Sequence, residues 1–324
     1  MPGRRTIGVD MGGTKLLAGA VDTRFGVHRR AQRSVAGLDQ SSLLDVVVDA
    51  VEEARQSAGG EIEAVGFGIP ALIDQRTQLA VSSVHLPLAG VAFADIMAER
   101  LGLPVFVDND ANVAALAEHR AGAARGASEA VVITIGTGIG GGLILRGQLY
   151  RGALGAAGEL GHVVIDYDGP PCQGNCPNRG CLEALASGTA LAREALEIAR
   201  RRSDSGLGRA LAGGRELAGP LVTELAHDGD PAALEAIELV GRRLGVGIAN
   251  YVNIFNPEVV VIGGGVIGAG ELLLAPARAE MRARALTPSR DEVQIVAARF
   301  GVEAGMVGAA ALAFDGLAER EHAA

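Results

Sequence analysis

TIGVDMGGTKLLAGAVD, residues 6–22, is an apolar run, a glycine turn and a second apolar run, and the chain repeats that layout at residues 129–150, EAVVITIGTGIGGGLILRGQLY. Each copy reads as strand, turn, strand, a hairpin whose turn amides can face a phosphate. Two halves that each open on such a hairpin predict an α/β protein of two related domains able to clasp one nucleotide between them. Lys15 does not make the first turn a Walker loop, because G-x-x-x-x-G-K-[ST] is absent and a strand pattern follows where a helix is required. Asp10, at the strand end beside the glycines, is a candidate to hold Mg²⁺ through water; its other reading is a turn aspartate.

Gly136, Gly138 and Gly141 also satisfy G-x-G-x-x-G, but that fingerprint needs a helix after the turn, and LILRGQLY has strand character. A third glycine turn, in NPEVVVIGGGVIGAGE at residues 256–271, does lead into a predicted helix. Its position after two hairpin turns favours a nucleotide-side loop over a dinucleotide-binding unit.

Outward from the first hairpin, residues 27–35 read as a third strand and 41–58 as a helix closed by Gly59 and Gly60. A buried strand enters the Gly-Ile-Pro turn before Ala71, and His85 falls in a loop as a solvated histidine. A helix at 93–102 and a strand at 103–107 deliver Asp108-Asn109-Asp110-Ala111-Asn112, after which a helix runs through His119. One polar residue there would be an N-cap, and four exceed that need. A carboxylate and an amide at a strand end that opens a helix suit hydroxyl recognition and proton removal, with Asp110 as the base. Asp108 should point to the opposite side and tolerate a change to Asn better than Asp110.

All three cysteines lie in residues 151–183, RGALGAAGELGHVVIDYDGPPCQGNCPNRGCLE. Three thiols in one short loop, with no C-x-x-C, suit a metal better than a disulfide or a redox pair. His162, one short strand-like segment upstream, would complete a Cys₃His zinc tetrahedron with Cys172, Cys176 and Cys181. Three free buried thiols are the alternative, against which Gly174, Pro177 and Gly180 favour a tight knuckle. A histidine that gives one nitrogen to zinc keeps a proton on the other, a fixed donor toward a hydroxyl. Glu159 and Glu183 add acceptors, and two acceptors with one donor match a polyol.

Further on, residues 182–202 read as one helix and SDSGLGRALAGGREL as a mobile connection, while Asp230-Pro231 starts a long helix toward Phe255. An apolar helix at 302–317 closes the chain before a frayed EREHAA tail. With 324 residues and 48% hydrophobic content the chain can build two full cores. It shows no leader and no uninterrupted apolar span, so a soluble, cytoplasmic protein is expected. A net charge of −9 argues against a nucleic-acid surface.

D-M-G-G-T-K, D-N-D-A-N, G-T-G-I-G-G-G, G-E-L-G-H, the knuckle ending G-C-L-E and V-V-V-I-G-G-G together resemble the ROK family (repressors, open reading frames, kinases) of the actin-like, hexokinase-like ATPases, over nearly the whole chain. The resemblance implies two actin-like (ribonuclease H-like) α/β domains with an interdomain cleft and a zinc knuckle. The smaller domain would be residues 1–115, rejoined by a helix at about 300–318, and the larger 116–299. It implies an ATP-dependent glucokinase acting with Mg²⁺ and a structural Zn²⁺, and a homo-oligomer, dimer or tetramer. A kinase for another hexose such as N-acetylmannosamine, or a sugar-sensing repressor, are the alternatives. Asn109, Asp110, Glu159, His162 and Glu183 would bind the sugar. Asp10, Gly12, Gly13, Thr14, Lys15, Gly136, Thr137, Gly138, Gly140, Gly264 and Gly265 would line the nucleotide. Two positions depart from the family pattern: the first cysteine pair is C-Q-G-N-C where C-x-C is usual, and Ala71 stands where glycine commonly follows Pro70.

Overall fold

The computed structural model describes residues 3–77, 79–83 and 86–323; His85 lies outside them. The chain divides into two compact units, Met1–Gly126 with Gly142–Gly158 and Val302–Ala324, and Ala127–Gly141 with Glu159–Gly301.

In the first unit β1 (Arg5–Met11), β2 (Lys15–Asp22) and β3 (Val27–Ser34) form an antiparallel meander. α1 (Gln40–Gln56) is started by the Asp39 side chain, which accepts from Ser42 N at 2.8 Å, and buries Leu43, Leu44, Val47, Ala50, Val51 and Ala54 on one face. β4 (Ile62–Ile69) runs parallel to β1, and β5 (Ala71–Ile73) pairs with β6 (Ala80–Ser83). α2 (Phe93–Leu101) ends at Gly102, whose φ of 62° only glycine adopts without strain. β7 (Val105–Asn109) then adds to the sheet beside β4, giving the order β3-β2-β1-β4-β7, and α3 (Asp110–Ala121) follows without a linker.

Register fixes what stands at the strand ends. Gly68 of β4 pairs with Asp10 of β1 on one side and Asp108 of β7 on the other. A Cβ on Gly68 would lie 2.4 Å from Val113 Cγ2, so glycine at this level lets the first turns of α3 close on the sheet. Carboxylates are thereby gathered at the C-terminal ends of parallel strands, where open α/β sheets bind ligands.

The second sheet has the order β10-β9-β8-β11-β12, from β8 (Ala130–Ile135), β9 (Ile139–Leu145), β10 (Gln148–Leu149), β11 (Val259–Gly263) and β12 (Gln294–Ala297). β8, β11 and β12 are parallel. Its helices are α4 (Leu182–Ala186), α5 (Gly188–Arg201), α6 (Gly206–Ala212), α7 (Gly219–His227), α8 (Pro231–Phe255), α9 (Glu271–Arg284) and α10 (Ser289–Glu292). α11 (Ala304–Ala323) returns to the first unit. It is long and apolar enough to cross a membrane by length and composition, yet it is seated on the first sheet. A Cβ on Gly8 or Gly66 would fall within 1.8 Å of a carbonyl oxygen of α11 (Met306 or Ala309), so the strand glycines exist to admit that helix.

The structure corrects several local expectations. The helix read across 182–202 is two, broken at Ser187, whose side chain caps α5 through Ala190 N at 3.2 Å. The segment after His162 forms no strand, only one bridge from Val164 to Cys181. The stretch expected to be mobile contains α6, pinned because Asp230 accepts from Gly206 N at 2.6 Å and Leu207 N at 3.3 Å while also capping α8. The third glycine turn leads first into a 3₁₀ turn, Gly265–Ala269, and then into α9. The tail is helical through Ala323, with Glu321 paired to Arg4 at 2.7 Å and the Arg320 guanidinium 4.7 Å from the Phe106 ring centre.

Candidate active site

Asn109 ends β7 and is the N-cap of α3: its Oδ1 accepts from Ala111 N at 2.9 Å and Asn112 N at 3.3 Å. Its Nδ2 stands 3.5 Å from the Ala71 carbonyl, so the residue that departs from the family pattern meets Asn109 through its backbone. Asp110 occupies the first helical position, with its own carboxylate on Ala111 N at 2.8 Å. The charge there is favoured by the helix N-terminus. Asp10, across the strand ends, is pushed up to about 7, first by burial and then by the Asp110 carboxylate. A Cβ on Gly305 would lie 2.3 Å from the Asp10 carboxyl carbon, so glycine at the start of α11 makes the room Asp10 occupies. Gly12, Gly13 and Thr14 form the turn between β1 and β2, closed by Gly12 N donating to Lys15 O at 2.8 Å, and Lys15 is exposed. The first unit thus brings Asp10, Asn109 and Asp110 together beside an open glycine turn.

Asp108 is held by partners that the sequence did not announce. It is 1% exposed and accepts from Asn109 N at 2.8 Å, Asn112 Nδ2 at 2.8 Å and Arg151 Nε at 2.5 Å. A cavity of about 910 Å³ in this unit runs along β7 and α11, and Arg151 lines it while Asp10, Asn109 and Asp110 do not. Asp10, Asn109 and Asp110 converge instead at the strand ends.

In the second unit the metal-ligating atoms of His162, Cys172, Cys176 and Cys181 all lie within 4.8 Å of one another. A zinc tetrahedron with bonds of about 2.3 Å to sulfur and 2.0 Å to nitrogen has edges of about 3.8 and 3.5 Å. Cys176 Sγ to Cys181 Sγ is 3.9 Å and Cys172 Sγ to His162 Nδ1 is 3.6 Å, so the donor set fits that ion. Burial and then the neighbouring thiols push Cys172 upward, and burial is the main cause of the same shift at Cys181. Thiolates there call for a cation's charge. With Nδ1 turned to the thiols, His162 Nε2 faces Glu159 Oε2 at 3.8 Å. Glu183 Oε2 accepts from Ile139 N at 2.8 Å and Oε1 lies 3.7 Å from Cys172 Sγ.

The turn between β8 and β9 carries Gly136, Thr137 and Gly138, while Gly140 lies within β9. Gly264, at φ 84°, rests against the end of β8, where a Cβ would be 2.4 Å from Ile135 O. Gly136, Thr137 and Gly265 consequently line one cavity of about 480 Å³. Its other walls, Gly188, Thr189, Ala192, Glu216, Ala218, Gly219, Pro220 and Val266, were missed in the sequence. Ser187-Gly188-Thr189 was a readable cap signal: Gly188 N donates to Gly136 O at 2.8 Å and Thr189 Oγ1 to Thr137 O at 2.8 Å.

A two-unit α/β protein with carboxylates at parallel strand ends, paired glycine hairpins and a Cys₃His knuckle has the parts of a sugar kinase of the actin-like class. Residues 6–315 match the family model described as ROK family, and the chain belongs to that family. It is 38% identical over 315 residues to a glucokinase of Thermotoga maritima, covering 96% of this chain and 98% of that one. The structure of a ROK family glucokinase from Streptomyces griseus in complex with glucose and AMPPNP superposes with a TM-score of 0.84 at 36% identity, covering 96% and 99%. A xylose repressor of Bacillus subtilis is 29% identical over 288 residues, covering 89% of this chain and 70% of that one.

Proposed function

We propose that this protein is an ATP-dependent glucokinase that moves the γ-phosphoryl group of Mg·ATP to the 6-hydroxyl of glucose. The observation that carries the reading is Asp110, a carboxylate held at the end of β7 beside Asp10 in a chain related over almost its full length to glucokinases. Asp110 aims the hydroxyl and takes its proton, and Asn109 offers Nδ2 to a neighbouring hydroxyl. Phosphoryl transfer is mainly positioning and charge neutralisation, for which Mg²⁺ supplies the charge. In the first unit the Gly13 amide, and in the second those of Thr137 and Gly138, are offered to phosphate, Gly12 N and Gly136 N being used within their own turns on Lys15 O and Gly138 O, and the cavity beside Thr137 and Gly265 takes the nucleoside. Asp10, Thr14 and Lys15 belong to the nucleotide side, as do Gly140 and Gly264.

Glu159, His162 and Glu183 are the hydroxyl ligands of the second unit, with zinc on His162, Cys172, Cys176 and Cys181 as a structural ion. The reading extends to a cytoplasmic homo-oligomer, and the net charge of −9 supports the absence of a nucleic-acid partner. A coupled assay of ADP release across glucose, mannose, N-acetylmannosamine and N-acetylglucosamine tests it. Glucose is expected to give the highest kcat/KM. Turnover highest on another hexose moves the assignment to that sugar, and binding without turnover on every sugar replaces the kinase by a sugar sensor.

A further inference from the structure

Three residues, Gln173, Gly174 and Asn175, separate the first two thiols. Gly174 has φ 58°, which lets the chain fold back after Gln173 so that Cys176 rejoins the cluster. The half-buried Gln173 side chain reaches out of the knuckle: Nε2 donates to Ser187 Oγ at 3.0 Å and to Thr137 O at 3.3 Å. Thr137 is the centre of the turn between β8 and β9, and Ser187 starts α5. The same turn is held on its other side by Glu183, which accepts from Ile139 N and lies 2.3 Å from where a Gly138 Cβ would stand. Residues next to Cys172 and two beyond Cys181 therefore grip this turn from both sides.

The grip has an orienting consequence. In a trans peptide the C=O and N–H point in opposite directions. Holding the Thr137 carbonyl toward Gln173 and Thr189 turns the Gly138 N–H the other way, fixing the direction in which that amide can meet an anion. We propose that Gln173 is a positioning residue for the nucleotide-phosphate turn, so that nucleotide affinity depends on the cysteine knuckle being closed. This rests on the reading of that turn as a phosphate cradle. The knuckle then serves both substrates, the sugar through His162 and the nucleotide through Gln173.

The test is ADP binding by calorimetry on the full chain without sugar, together with steady-state kinetics and zinc content. Gln173→Ala removes two neutral hydrogen bonds, and roughly a three- to tenfold weaker ADP Kd and higher ATP KM are expected, with sugar KM and zinc content at the parent's values. Gln173→Glu keeps the size but turns the donor into an acceptor against the Thr137 carbonyl, so its loss should be larger. Opening the knuckle with Cys176→Ser should weaken ADP binding in the parent and add little in the Gln173→Ala background. An ADP Kd within twofold of the parent's in both Gln173 variants overturns the proposal, as does loss of zinc from Gln173→Ala. If the parent itself does not bind ADP, the phosphate-cradle reading falls. The brace is then judged by amide hydrogen exchange at residues 136–140, where faster exchange in Gln173→Ala supports it and unchanged exchange overturns it.

Discussion

Asp108 and Arg151 meet at 2.5 Å, and the pair joins the strand end that presents Asn109 and Asp110 to the start of the loop 151–158. Asp108 is buried while the Arg151 side chain is 30% exposed, so the two ends of the pair are unequal. Removing the cation strands a carboxylate away from water, whereas removing the carboxylate leaves a cation that water can reach. Arg151→Met is therefore expected to cost about 3 kcal/mol of stability, and Asp108→Asn about 1–2 kcal/mol. Urea unfolding of both variants checks the order; equal small losses would mean that the pair is not the fastening it resembles.

The knuckle geometry predicts about one zinc per chain. Cys176→Ser should release it and raise the sugar KM, because His162 loses the partner that fixes its ring and its remaining proton. Metal analysis alongside kinetics decides: zinc lost with sugar KM unchanged would separate the cluster from sugar binding.

Asp10 gives a pH signature in the ligand-free protein. Its folded value of about 7 lies above the ordinary 3.8. Below about pH 4 both folded and unfolded chains carry the proton; between about 4 and 7 only the folded chain keeps it, so stability falls as pH rises through that window. Asp10→Asn has no such charge to bury. Relative to the parent it should gain on the order of 1–3 kcal/mol between pH 5 and pH 8. Parallel pH profiles of the two urea midpoints would show that Asp10 is not carrying a buried charge.

Features set by neighbours in sequence were legible. The two glycine hairpins, the Asp230-Pro231 start of α8 and the cysteine cluster each depend on residues a few positions apart, and each was found where spacing placed it. What escaped depends on partners far along the chain. The buried pair of Asp108 with Arg151 is one such feature, because nothing local announces a partner 43 positions away. The bond that Glu183 Oε2 accepts from Ile139 N, 44 positions earlier, is another, for its place after Cys181 says nothing of that strand. Ser187 was the exception, a local cap signal obscured because helix-forming sequence continues on both sides of it.

Asp110 separates an enzyme from a binding protein, and it shares the start of α3 with another residue. The cap of α3 is Asn109, whose oxygen already takes the amides of Ala111 and Asn112, so Asp110 is not needed to start the helix. In a loose phosphoryl-transfer transition state the attacking hydroxyl sheds its proton late, and a nearby carboxylate both aims the oxygen and accepts that proton. Asp110→Asn keeps shape and hydrogen bonding but cannot accept it. The fold and sugar affinity should stay close to the parent's while kcat falls by roughly 10²–10⁴. Removing the Asp110 charge should also lower the Asp10 value, since that charge is one of the two causes raising it. A variant that turns over at the parent's rate under saturating sugar and ATP, with Asp10 shifted downward as expected, would show that the carboxylate is present and charged but is not the base.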